Sequence, residues 1–302
     1  MKESIGMVIE KGFSTWKRNL SIAFPFVLEF FMAMVIFGLA IFAFVLFFVV
    51  PALDKNNIDP EQMDPESLLL LIGFAFSDHI IGVFLLVLVF LLLYMFMSSF
   101  FMAGAIGMSK NASEKGDTRI SDMFSYGAKN ARNMFFTRIM ISLLALAGVI
   151  FLVPGILSID NIDTFLNDPV NSMASMSVIT FGLLLWSLYI LMISVLFLFV
   201  EHALVIEETD PITAIETGIR FFLSNKAQSL TLWFILITIS FILSIIGNAL
   251  NSVGILAELW NIFNYAISIA VIQPLVTIWW TRFYLNRTGR KLYSFEEYVL
   301  SH

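Results

Sequence analysis

Four ionisable residues stand inside long apolar runs: Glu29, Arg138, Glu201 and His202. A charge at membrane depth is expensive, so such a group pairs with an opposite charge, changes its protonation, or handles a polar ligand or ion. Helical side chains lean toward the N-terminal end of their helix. On runs that cross outward, Glu29 and Arg138 lean back toward the inner side. On a run that crosses inward, Glu201 and His202 lean up into the membrane. The expectation is a buried polar cluster in the inner half of the bilayer, where Arg138 neutralises a carboxylate. The plainer alternative has Arg138 and Glu201 reaching the interface separately while Glu29 packs neutral.

A second feature is Gln273-Pro274, midway along the last apolar run. Proline has no N–H to give and frees a backbone carbonyl one turn earlier, which marks a helix break. Such a break serves as a hinge beside a substrate path, or it is a static kink.

Motifs for enzymatic chemistry are missing. There is no GxGxxG, P-loop or HExxH, and no GxSxG in a fitting context. Cysteine is absent, and the three histidines are His79, His202 and His302. Asp78-His79 reads as a helix cap. The acidic stretch Asp54, Asp59, Glu61, Asp64, Glu66 fails as a calcium loop, since Ile58 stands where a ligand is needed and the glycine is missing. The expectation is a non-enzyme with no catalytic residue, cofactor, metal or nucleic-acid partner.

The elements that position the four charges follow from composition. Of 302 residues, 59% are hydrophobic and only 13% charged, against about 45–50% and about 25% in soluble domains. A water-facing surface cannot be built from this list. The fold class expected is an all-α integral membrane protein with six transmembrane helices. They run over about Leu20–Val50, Ile80–Met108, Phe136–Val153, Met176–Ile206, Ala227–Leu250 and Leu259–Tyr284. No removable signal peptide is expected. Leu68–Phe76 is too short to span and reads as an interfacial helix. Asp78 and Thr118 are candidate caps for the helices that follow them.

Three amphipathic segments precede span pairs: residues 2–19, Ile120–Phe135, and the helix opened by Asp210-Pro211. Aligned on Gly12, Gly127 and Gly218, they share apolar positions and close near Asn19, Asn133 and Asn225. That register predicts a threefold repeat over 2–108, 117–206 and 210–286, followed by a basic tail, 287–302. The tail closes with a short helix from Ser294, which has capping-box spacing to Glu297. Lys and Arg sort to one side of the six spans, the other side holding only Lys55. The positive-inside rule then places both termini and all three amphipathic helices in the cytoplasm. Lys11, Lys17, Arg18, Lys129, Arg132, Arg220 and Lys226 are expected to contact anionic lipid headgroups on that face.

The segment Val205-Ile206-Glu207-Glu208-Thr209-Asp210-Pro211-Ile212-Thr213-Ala214-Ile215-Glu216-Thr217-Gly218, running to Asn225, resembles the hallmark of a broad prokaryotic membrane family. That family is labelled the glycerophosphoryl diester phosphodiesterase membrane domain, with related domains of unknown function. Gly116-Asp117-Thr118 through Phe124 is similar to its mid-chain entry helix. The resemblance implies six spans in a prokaryotic cell membrane. It does not imply phosphodiesterase activity, because the catalytic barrel of those enzymes is a separate soluble domain. The function expected is a multi-pass membrane module that binds lipid or a partner protein, with a small-molecule or ion transporter or channel subunit as the rival.

Topology is directly testable. A reporter fused after His302 is expected in the cytoplasm and one inserted between Asp54 and Asp64 outside. Both reporters on one side would overturn the six-span reading.

Overall fold

Backbone N–H and C=O groups in hydrocarbon have no water to bond, so a chain this apolar must satisfy them internally. Helix does this throughout. The computed structural model describes residues 2–56, 64–159, 165, 173–250 and 254–293, and every regular element among them is helical. The loop acids Asp59 and Glu61 and the helix expected from Ser294 lie outside the described residues. Six helices are long and apolar enough to cross a membrane. They are span one Leu20–Leu53, span two Ile80–Lys115, span three Ile120–Leu157, span four Met173–Glu207, span five Lys226–Leu250 and span six Ala257–Arg287.

Three further helices stand among the described residues. Helix α1 (Ile5–Arg18) is capped by Ser4, whose hydroxyl accepts from the Met7 N–H at 3.3 Å. Helix α2 (Pro65–Asp78) joins spans one and two and buries Leu71 and Ala75 against Ala52. Helix α3 (Pro211–Ser224) is capped by Asp210, which accepts from the Ile212 and Thr213 N–H groups at 3.1 and 3.2 Å. The Thr213 hydroxyl, which donates to the other carboxylate oxygen at 2.5 Å, together with those bonds holds the Asp210 carboxyl below the usual range.

The middle amphipathic segment departs from expectation. It is not a separate helix, for Ile120–Ala147 runs unbroken into span three. Asn19 and Asn225 end their helices alike, each backbone N–H and each side-chain amide returning to the carbonyl four residues back. Both stand seven residues past their glycine, whereas Asn133 stands only six past Gly127. That offset turns Asn133 outward from the capping position, and its amide reaches the Thr209 carbonyl at 3.4 Å instead. Two caps also differ. Asp78 makes no cap and pairs with Lys55 at 2.6 Å, which holds its carboxyl below the usual range. Thr118 donates to Asp122, and Asp122 accepts from the Arg119 N–H that opens the helix.

The core forms where the C-terminal ends of spans two, four and six meet. Residues around 98–113, 199–206 and 274–285 are almost continuously buried, while the remaining lengths of the spans expose large apolar side chains. Glycines let the surrounding helices close on these three ends. A Cβ on Gly12 would sit 2.3 Å from Trp279 of span six, on Gly127 2.9 Å from the Phe100 carbonyl of span two, and on Gly218 2.7 Å from the Val200 backbone of span four.

The first helix is locked to the last span. Arg282 is 2% exposed and grips the Glu3 carboxylate at 2.9 and 2.7 Å, with Lys11 at 3.1 Å from the same group. The Trp279 ring N–H donates to the Ile9 carbonyl at 3.1 Å, and Arg287 to the Glu3 carbonyl at 3.0 Å. The tail is likewise tied down, Arg290 meeting Glu207 at 2.9 Å. Burial pushes the Glu3 carboxyl up, but the bonds and charges of Arg282 and Lys11 outweigh it and hold it below the usual range.

A depressed carboxyl contributes stability that is present above its unfolded pKa and lost as pH falls through the lower folded value. The α1 lock is therefore intact at neutral pH and weakens in acid. Glu3→Gln strands a buried guanidinium and is expected to cost about 3 kcal/mol, with the loss shrinking at low pH. Adding Arg282→Met recovers part of it. Thermal unfolding in detergent measures this, and an unchanged midpoint for Glu3→Gln would refute the lock.

Candidate functional site

Span four breaks one turn before its two ionisable residues. Helix stops at Leu196, Phe197–Phe199 form a turn, and helix resumes over Val200–Glu207. Glu201 thus lies in a first helical turn, where unpaired N–H groups favour a carboxylate. Arg138 of span three meets it bidentately, Nε to Oε1 at 2.7 Å and Nη2 to Oε2 at 3.2 Å. Its remaining terminal nitrogen donates to the Ser98 hydroxyl of span two at 2.7 Å. That hydroxyl donates onward to Oε1 of Glu29 on span one at 2.5 Å.

Three of the four residues singled out by sequence therefore meet in one junction of four spans. Glu29 and Arg138 do not touch directly. Ser98, which sequence reasoning missed, relays between them, and its only advance signal is the Ser98-Ser99 pair in an otherwise apolar run. His202 does not join the cluster. Successive helical residues point about 100° apart, so a neighbour of Glu201 faces elsewhere. Its ring is 7% exposed and lies against Phe199. Two carboxylates in the junction face a single guanidinium.

Gln273-Pro274 opens the last segment of span six, Gln273–Arg287. The turn just before it, Ser268–Ile272, is wound as π-helix, the adjustment expected where a proline frees carbonyls. The widened turn faces a groove of about 450 Å³ between spans one, two and six. Glu29, Tyr94, Tyr265, Ser268, Gln273 and Thr277 supply its polar lining. A second cavity of about 560 Å³ shares Phe30, Ala33 and Tyr94 with it and is otherwise apolar, walled by spans one and two. Adjoining through those three residues, the two form a recess with a polar floor and an apolar extension. Tyr94, Tyr265 and Ser268 went unnoticed in the sequence, because hydroxyls spaced across two spans carry no local pattern. Among the described residues, no three His, Asp or Glu converge to hold a metal ion.

The seven expected headgroup cations fare unequally. Lys11 pairs with Glu3, Lys129 with Glu208 at 2.5 Å, and Arg220 with Glu216 one helical turn away. Lys129 holds the Glu208 carboxyl below the usual range. Lys17 lies over the Phe13 ring and Arg18 over the Tyr293 ring. Arg132 and Lys226 are exposed and make no ion pair among the described residues.

No family model, curated protein or solved structure matches the chain. The resemblance carried by residues 205–225 and 116–124 therefore rests on the sequence alone.

The charge count of the junction sets an order of mutational effects. Arg138→Gln leaves the half-buried Glu201 at membrane depth without its partner and is expected to cost about 3 kcal/mol. Glu29→Gln removes the surplus carboxylate, keeps an acceptor for Ser98, and is expected to cost under about 1 kcal/mol. Unfolding of the two variants in detergent gives the comparison, and equal losses would contradict this division of charge.

Proposed function

We propose that this protein is a non-enzymatic module of the cell membrane that binds a lipid-like amphipath between its spans. The observation that carries this reading is the recess with Glu29 and Gln273 on its floor and apolar side chains above. Polar groups left at membrane depth are costly, and a ligand with a polar end and a hydrocarbon chain satisfies both parts of the recess at once. The alternative of transport or conduction needs a polar path, and beyond Tyr94 the described residues lining the extension are all apolar. Binding is therefore the better-supported role.

In this reading both termini are cytoplasmic, and α1, the first turns of span three and α3 lie along the inner interface. Lys17, Arg18, Arg132 and Lys226, which have no carboxylate partner among the described residues, are the inner-rim groups for anionic lipid. Lys11, Lys129 and Arg220 contribute less, since each already meets a carboxylate. The same rim is the natural place for a protein partner.

Ala33 lines both halves of the recess. Ala33→Trp is expected to reduce retention of a spin-labelled single-chain amphipath about tenfold or more, since a bulky ring there leaves no room for the chain. Leu39→Trp, on a lipid-exposed position outside the lining, should leave it unchanged. Equal retention by the two variants, read by spin-label mobility in micelles, would remove the recess as the binding site.

A further inference from the structure

Resting on the recess as the binding site, we propose that its occupant is a single-chain amphipath with a cationic ammonium head seated at Glu29. The junction is unbalanced toward negative charge on the side that faces the recess. Arg138 spends both its Nε and one terminal nitrogen on Glu201, and it reaches Glu29 only through the neutral Ser98 hydroxyl. Glu29 Oε2 makes no hydrogen bond among the described residues, and Glu29 lines the recess whereas Arg138 does not. Among the described residues, no Lys, Arg or His lines either cavity. A phosphate or carboxylate head would thus meet a like charge with nothing to offset it, and an ammonium would supply the missing countercharge.

The rest of the floor suits the same head. Tyr94 and Tyr265 border the recess, and the face of a tyrosine ring attracts a cation. The side chains of Ser268 and Gln273 make no hydrogen bond among the described residues and offer oxygen acceptors beside Glu29. The widening of span six at Ser268–Ile272 brings these groups to the recess. Outward, the wall from Glu29 to Ala40 runs about 16 Å at 1.5 Å per residue, which accommodates a chain and not merely a head.

The test uses the full chain in nonionic detergent with a photoreactive dodecylammonium as probe. Crosslinked peptides are expected from spans one, two and six. Unlabelled dodecyltrimethylammonium should compete at a concentration about tenfold below dodecanol, and dodecyl phosphate should compete least. Butylammonium, a head without the chain, should not compete at that level, which separates a lipid-like ligand from a free cation. Glu29→Gln should bring the ammonium and alcohol to equal potency. Equal competition by ammonium and alcohol on the unmodified chain would overturn the cationic head while leaving the recess as a binding site. Scattered labelling that no competitor reduces would overturn both. The ranking on the unmodified chain decides by itself should the variant not fold.

Discussion

A guanidinium does not give up its proton inside a protein, so each arginine buried among helices must be met by an acceptor held in place. Two such encounters organise this chain. Arg138 draws spans three and four together through Glu201, and through Ser98 it reaches spans two and one. Arg282 draws α1 onto span six through Glu3. Because both pairs are bidentate, they fix angle as well as distance. The glycines at positions 12, 127 and 218 then allow the flanking helices to close on the three buried ends, Gly12 against the Trp279 ring and the other two at backbone range.

What was legible in the sequence was whatever depends on run length, local spacing or a cap. The six apolar runs appear as six helices, and Asp210 caps α3 through the side-chain oxygen its position calls for. Glu29, Arg138 and Glu201 announced themselves by being ionisable where nothing else was. The failures have a common cause, which is that the deciding partner lies far along the chain or one residue out of register. Ser98 matters only because Arg138 and Glu29 stand on either side of it, 40 and 69 residues away. His202 was grouped with its neighbour although adjacent helical positions do not share a face. Asp78 looked like a cap until Lys55, from before α2, reached it. The break expected near Asn133 is absent because that residue sits one position short of the place where Asn19 and Asn225 act.

The uneven packing also bears on the site. Three helix ends are sealed against one another, while the remaining lengths of the spans expose apolar side chains. In lipid such faces are cheap to leave unsealed, since acyl tails are as apolar as leucine. The apolar part of the recess therefore exists at little cost to stability. Its polar floor is the costly part, and three ordinary features of the chain produce it: a carboxylate in span one, a proline in span six and hydroxyls between them.

The clasp between Glu3 and Arg282 joins residues 279 positions apart. Translation delivers about 5–20 residues per second, so α1 emerges on the order of tens of seconds before the span that holds it. Throughout that interval its carboxylate lacks the guanidinium that clasps it, although Val8 and Trp16 already have span two to pack on. Helix α1 is thus made well before the span that clasps it. A chain cut before span six would leave α1 without its clasp, and so more open to proteolysis than in the whole fold.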